Sequence, residues 1–329
     1  MILKTNAAST EPTPAVTRAA AILRAGGLVA FPTETVYGLG AVATDARAVA
    51  RIFEAKDRPH FDPLIIHLGS ADWLDRYVAF VPPEAGRLVE RFWPGPLTLV
   101  LPKRECIPDI VTSGLPTVAV RMPAHPVARA LIAETGLPLA APSANRFSQL
   151  SPTTAQAVAE ELGERVELIL DGGPTQLGIE STIIALGETG PRLLRPGPVT
   201  LEELCECLGR EVMVASGAAA TPESPGMLLR HYAPRTSLRI LDSPATALSP
   251  RDCRVGLLAF RSAPLKHDFA IVETLSATGD LREAAANLFA ALRRLDAAGV
   301  DAIVAEPVPE TGLGRAIMDR LRKAAVPRA

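Results

Sequence analysis

GGLVAFPTETVYGLG, residues 26–40, runs an apolar strand, Leu28 to Phe31, straight into two threonines, a glutamate, a tyrosine and a glycine pair. A strand buried enough to read Leu-Val-Ala-Phe does not end in so polar a loop unless something binds there. Outward from it, strands and helices interleave. A helix over 15–25 stops on Gly26-Gly27, a glycine C-cap signal. A second helix covers 45–55, with Ala46, Val49, Ala50 and Phe53 on one face and Asp45 as N-cap. Strands follow at 64–68, 97–101, 118–121, 139–141, 166–170 and 182–185, and helices at 85–92, 127–134 and 154–162. This alternation, with no internal repeat, implies an α/β fold built on one twisted mixed sheet.

Composition changes after residue 208. VASGAAATPESPG is poor in large apolar residues and reads as a moderately flexible linker, residues 209–225. Strands at 238–241 and 254–260 come next, then an amphipathic helix over 281–298 with Leu281, Leu288, Leu292 and Leu295 on one stripe. A strand at 300–305 and a last helix at 314–325 complete a smaller Rossmann-like parallel-sheet unit, joined by a crossover. The expected division is 1–208, a linker over 209–234, and a small α/β domain over 235–329.

The chain has 329 residues and a formal net charge of −2, which excludes a uniformly basic, nucleic-acid-coating protein but not a local basic cleft. Its four cysteines, Cys106, Cys205, Cys207 and Cys253, form no CxxC pair, so neither zinc nor a disulfide framework is expected. The N-terminus lacks the apolar segment of a secretory signal, and no run reaches bilayer length, so the expectation is a cytoplasmic protein without membrane contact.

Polar groups recur where strands end. Thr33, Glu34, Thr35 and Tyr37 follow the first strand, Lys56 and Arg58 follow a helix, and His67 and Arg121 end apolar strands. Ser143 and Asn145 come directly after 139–141, Ser181 precedes a strand, and Arg195 follows one. Side chains leaving neighbouring strand ends converge on one cleft in an α/β sheet. Taken singly, a threonine there is a turn residue, Arg58 a solvated charge and His67 a core histidine. Arg121 is harder to place so, because a guanidinium between Val120 and Met122 needs an anion or several acceptors. GxxxxGK[ST], HExxH and GxSxG are absent. Residues 38–43 match GxGxxA, but six residues separate them from the strand and no helix opens after them, so NAD is not expected. A cleft of cations, hydroxyls and amides suits a polyphosphate and a carboxylate held without covalent catalysis.

FPTETVYGLG, the Lys-x-Arg of KDRPHFDPLIIH, PGPLTLVL, TVAVRMP, PSAN followed by SPT, GIESTII and LLRPG together resemble the threonylcarbamoyl-AMP synthase (YrdC-type) family over residues 14–208. SPGMLLRHYAP, 224–234, resembles its longer, two-domain members. The resemblance implies a nucleotidyltransferase reaction: L-threonine, bicarbonate and ATP give threonylcarbamoyl-AMP, pyrophosphate and water. The product would then serve threonylcarbamoyladenosine synthesis beside the tRNA anticodon, through a tRNA threonylcarbamoyl-transferring complex. It implies Thr35, His67, Arg121, Ser143 and Ser181 for threonine. For ATP it implies Arg58, Thr117, Asn145, Thr153, Arg195 and Tyr232; Asp62 is placed beside them, and the charge on the phosphates calls for Lys56 and Arg58 as catalytic cations. Mg²⁺ is expected with ATP, and no metal ligand is identified. By the same resemblance Arg230, His231 and Tyr232 would form a cover over the cleft.

Two positions depart from the family pattern. Asp62 stands where asparagine is common, which sets a carboxylate near a triphosphate unless it helps hold Mg²⁺ or only its backbone is used. Ser148 replaces a frequent glycine, which predicts a stiffer loop. The rival reading is a double-stranded RNA or tRNA binding module without catalysis. The net charge of −2 and the lack of an aromatic stacking platform count against it, although a weak tRNA contact is compatible with the lysines and arginines.

Overall fold

The computed structural model describes residues 1–5, 12–187, 189–215, 222–241, 253–262 and 269–327. Within these, the first sheet comprises β1 (Ile2–Lys4), β2 (Val29–Phe31), β3 (Gly38–Val42), β4 (Ile65–His67), β5 (Leu97–Pro102), β6 (Thr117–Arg121), β7 (Leu139–Ala140), β8 (Leu168–Asp171), β9 (Thr182–Gly187), β10 (Gly190–Arg195) and β11 (Met213–Val214). Their order across the sheet is β1-β8-β2-β3-β7-β4-β6-β5-β9-β10-β11, and pairings are both parallel and antiparallel. Helices α1 (Pro14–Arg24), α2 (Ala46–Lys56), α3 (Leu74–Tyr77), α4 (Pro83–Phe92), α5 (Asp109–Thr112), α6 (Pro126–Thr135), α7 (Ala155–Leu162) and α8 (Leu201–Leu208) pack around it. This is the mixed α/β sheet that the alternation predicts.

Local chemistry explains the frame. Thr13 caps α1 by accepting from the Val16 amide, and Pro14 occupies its first turn, where a missing N–H costs nothing. Val16, Ala19, Ala20 and Leu23 of α1 then bury with Val127, Leu131 and Ile132 of α6. Asp45 caps α2 as its position predicts, accepting from the Arg47 and Ala48 amides. A cap of this kind contributes about 1 kcal/mol.

The opening stretch behaves differently from its reading in one respect. Residues 38–40 read as a continuation of the loop, yet Gly38–Val42 is a strand, antiparallel to β2 with Phe31 opposite Gly38 and Val29 opposite Gly40. Glycine is required by packing: a Cβ on Gly40 would lie 2.7 Å from the Phe31 ring. The apparent dinucleotide fingerprint is therefore a packing requirement of a strand pair.

The second sheet holds β12 (Ser237–Ile240), β13 (Val255–Ala259), β14 (Ile271–Thr274) and β15 (Ala302–Ala305), ordered β12-β15-β13-β14 and wholly parallel. Helices α9 (Leu281–Ala297) and α10 (Leu313–Ala325) accompany it. The sequence leads from 254–260 straight into the long helix, whereas β14 intervenes and the crossover through α9 starts from it. One further difference concerns the linker. Met213 and Val214, inside the stretch read as linker, pair in parallel with β10. Residues 216–221 lie outside the described residues.

The apolar core of the second sheet, with Leu258, Leu288, Phe289, Leu292, Ile303, Ile317 and Leu321, is continuous with Val36, Leu150 and Ile179 of the first part and with Tyr232. That continuity presses α10 against the loops that carry the candidate site. Among the described residues, no helix is long and apolar enough to cross a membrane.

Candidate active site

One pocket gathers most of the polar residues singled out in the sequence. Thr35, Arg58, His67, Arg121, Ser143, Ser181, Arg195 and Tyr232 all line it, and its walls enclose about 530 Å³ of space, open solvent at the mouth included. The sheet explains the convergence. His67 and Arg121 are register partners at the ends of the parallel pair β4 and β6. Arg195 ends β10, Ser181 immediately precedes β9, and Ser143 follows β7. Residues scattered between positions 35 and 232 of the sequence thus line one pocket.

The loop after β2 is held by its own hydroxyls. Thr33 Oγ1 accepts from the Thr35 and Val36 amides and donates to the Val36 carbonyl at 2.7 Å. Tyr37 donates to the Gly173 carbonyl at 2.7 Å. This turn sets Thr35 Oγ1 to accept from Arg121 Nη1 at 3.0 Å. Arg121 also donates from Nε to the Gly95 carbonyl and from Nη2 to Glu34 Oε1, and Glu34 accepts in turn from the Ala124 amide. The guanidinium is fixed on three sides, and its remaining N–H groups are what a ligand can use.

His67 is buried beside it. Burial, then the Arg121 charge, pushes its pKa down to about 3, so the imidazole is neutral at physiological pH. Its Nδ1 has no protein partner, and neither does Nδ1 of His231, which also lines the pocket. Burial and then Arg58 and Lys56 hold His231 well below the usual histidine range.

The other two arginines of the pocket are Arg195 and Arg58. Arg195 donates from Nε to the Ser181 carbonyl and from Nη2 to Ser181 Oγ at 3.0 Å, while Thr98 shares the same hydroxyl at 2.8 Å. Arg58 donates from Nε to the Asp62 carbonyl and from Nη2 to the Pro63 carbonyl. Its Nη2 also lies 2.9 Å from Asp62 Oδ2. Asp62 is fully buried and is not a wall residue, so this carboxylate neutralises Arg58 from behind instead of facing an anion.

Lys56 likewise turns away from the pocket. Its ammonium donates to the Ser143 and Asn145 carbonyls, and burial, then Arg58, lowers its pKa well below the ordinary lysine value. It fixes the turn that presents Ser143. Asn145 is buried, donating from Nδ2 to the Arg146 and Gln149 carbonyls. Thr153 accepts at its carbonyl from Thr175, and Thr117 begins β6, at the far end from Arg121. These five residues (Lys56, Asp62, Thr117, Asn145 and Thr153) are outside the pocket wall.

Part of the segment expected to cover the cleft reaches it, but Arg230 does not line the pocket and donates from Nε to the Val326 carbonyl. Pro225, Gly226, His231 and Tyr232 line the pocket, and a Cβ on Gly226, at φ +83°, would meet Tyr232 Oη at 2.6 Å and Arg195 Cδ at 3.1 Å. Tyr232 is itself left-handed at φ 59°, a strained setting for a bulky residue. Ser148 also has φ 65°, a backbone setting that favours glycine. Its carbonyl accepts from the Ala233 amide and so ties this loop to the cover. One wall carboxylate, Glu180, was not singled out from sequence, and Glu34, named with the opening loop, was given no role. Glu180 stands next to a residue that was singled out, Ser181, and that adjacency was the available signal.

A mixed sheet whose strand ends bring arginines, hydroxyls and a neutral histidine to one covered pocket defines a YrdC-type α/β enzyme with a second, parallel-sheet domain. The family model described as Telomere recombination, covering Sua5, YciO and YrdC, matches residues 21–197. The model described as Threonylcarbamoyl-AMP synthase, C-terminal domain, matches residues 199–326. The chain belongs to the threonylcarbamoyl-AMP synthase family. It is 47% identical to the threonylcarbamoyl-AMP synthase of Pyrococcus abyssi over 93% of this chain and 92% of that protein. With the Bacillus subtilis threonylcarbamoyl-AMP synthase it shares 44% identity over 95% of this chain and 93% of the relative. The crystal structure of P. abyssi Sua5 complexed with L-threonine superposes with a TM-score of 0.89 at 45% identity, covering 99% of this chain and 97% of that one.

Proposed function

We propose that this chain is an L-threonylcarbamoyladenylate synthase, a nucleotidyltransferase that joins L-threonine, bicarbonate and ATP into threonylcarbamoyl-AMP with release of pyrophosphate and water. The observation that carries the reading is one pocket that holds Arg121, bonded to Thr35, together with Arg58 and Arg195. Arg121, Thr35, His67, Ser143 and Ser181 would take threonine, whose carboxylate suits the free N–H groups of Arg121. Arg58 and Arg195 would take the polyphosphate, with Tyr232 over it.

Threonine's amine and bicarbonate give a carbamate and water. A carbamate oxygen attacks the α-phosphorus of ATP; the new O–P bond forms as the bond to the bridging oxygen breaks, and pyrophosphate leaves with that electron pair. Carbamate and mixed anhydride both react with water, so the cover formed by Pro225, Gly226, His231 and Tyr232 protects them. The two guanidiniums oppose the charge that grows on the phosphates. The neutral imidazole of His67 can accept from the threonine hydroxyl or amine without adding charge.

Mg²⁺ would enter as part of the ATP substrate and neutralise phosphate charge. The protein's own carboxylates near the pocket are each engaged by an arginine, Glu34 by Arg121, Asp62 by Arg58 and Glu180 by Arg320. Among the described residues no group of three or more His, Cys, Asp or Glu could hold a metal. Phosphate oxygens are therefore the natural ligands for the ion.

The product would pass in the cytoplasm to a tRNA threonylcarbamoyl-transferring complex. Pyrophosphate release that requires threonine, bicarbonate and ATP, with no RNA present, tests the reading. A non-catalytic RNA-binding module would release none.

A further inference from the structure

Among the described residues that line the pocket there is one carboxylate, Glu180, and the cation that answers it comes from the second domain. Arg320 lies on α10, on the same buried stripe as Ala316, Ile317, Leu321 and Ala324, where an amphipathic helix should be apolar. It is 1% exposed. It donates from Nε to Glu180 Oε2 at 3.0 Å and from Nη1 to the Pro196 carbonyl at 2.6 Å. Ser151 donates to the other Glu180 oxygen. The guanidinium also sits 5.2 Å from the centroid of the Tyr232 ring. Burial works against the Arg320 charge, but Tyr232, Glu180 and Asp319 around it outweigh burial and hold its pKa above the ordinary arginine value.

The neighbourhood makes the electrostatic problem plain. Glu180 immediately precedes Ser181, whose carbonyl and hydroxyl both engage Arg195. An unpaired carboxylate there would compete for Arg195 and would repel any phosphate brought to it. One turn further along α10, Lys323 donates to the Gly226 carbonyl at 2.7 Å and accepts at its own carbonyl from the His231 amide. The same helix face therefore grips the cover at two places.

We propose that Arg320 is a positioning residue for the nucleotide half of the pocket: by neutralising Glu180 and supporting Tyr232 it keeps Arg195 available to phosphate. The second domain thus completes the site electrostatically. The inference rests on the synthase reading for the identity of its nucleotide.

The test uses the full-length chain as wild type, Arg320→Met, Glu180→Gln and the double variant, with Kd for ATP and for L-threonine measured by calorimetry. Arg320→Met should weaken ATP by about tenfold or more, the loss expected of a charge-assisted pair, and threonine by less than about threefold. The double variant should bind ATP within about threefold of Glu180→Gln, because no uncompensated carboxylate remains. Equal weakening of both ligands in Arg320→Met, the signature of a residue that merely joins two domains, overturns the inference. If Arg320→Met does not fold, the double variant decides: ATP binding tenfold weaker than in Glu180→Gln overturns it, and binding within about threefold supports it. Pyrophosphate release by the wild type is a separate control. Its absence sinks the synthase reading while the ATP comparison still stands, whereas a wild type that binds no ATP sinks both.

Discussion

Arg121 and Glu34 form a buried ion pair, Nη2 to Oε1 at 2.6 Å, in the wall where a threonine carboxylate is expected. The pair balances the Arg121 charge before ligand arrives. It also makes Arg121→Ala a double loss, because Glu34 would stay buried without its partner. The variant should lose about 3–5 kcal/mol of folding stability. It should also weaken threonine by about 1.5–3 kcal/mol. Denaturant melts and calorimetry read the two separately, and unchanged threonine binding in a folded Arg121→Ala would contradict this assignment.

Arg58→Ala should fall chiefly on ATP. The guanidinium spends Nε and Nη2 on the Asp62 and Pro63 carbonyls, and Arg58 lines the pocket. ATP binding should weaken by about 1.5–3 kcal/mol, with a smaller change for threonine. Equal losses of both ligands in this variant and in Arg121→Ala would reject the division of the pocket into two halves.

Much of this was legible in the sequence, and the exceptions have physical causes. Apolar runs such as Leu28 to Phe31 and the capped pattern from Asp45 gave their elements within a residue or two. β3 was not legible, because its two glycines lower strand propensity and the ring of Phe31 that demands glycine at position 40 is a tertiary fact. β1 and β14 are short edge strands with little buried surface to create a pattern. α8 did carry a signal, the Thr200 to Glu203 capping box, which went unused. Within the site, strand-end residues were readable as a set. Which cations face the pocket was not: Lys56 and Arg58 are two positions apart, yet one points at carbonyls and the other at the cleft. Arg320 stood out of pattern on an apolar helix face, a signal that needs a partner in space before it can be interpreted.

Stability should depend on pH through His67. Its pKa is about 3 in the folded chain against 6.5 ordinarily, so between those values the unfolded chain takes up a proton that the folded chain refuses. The stabilisation is full above pH 6.5 and is lost as pH falls. His231, shifted in the same direction, adds to it. His67→Gln should flatten the slope of unfolding free energy by up to about 1.4 kcal/mol per pH unit in that interval. An unchanged slope would contradict the buried, neutral imidazole.

The cover should respond to ligand. Hydrogen exchange across residues 224–234 is expected to slow when ATP and threonine are added together. Gly226→Ala should weaken ATP by about tenfold, since its Cβ would press on Tyr232 and Arg195 at a left-handed φ. Unchanged exchange, together with wild-type ATP affinity in Gly226→Ala, would leave this segment as a passive tether.

Transfer of labelled carbon tests the central claim most directly. The purified chain is incubated with ATP, Mg²⁺, L-threonine and carbon-13 bicarbonate, without RNA, and the products are read by mass spectrometry. An adduct of threonine and AMP that carries the label is expected, appearing in step with pyrophosphate. Pyrophosphate without a labelled adduct, or no ATP turnover at all, would contradict that claim.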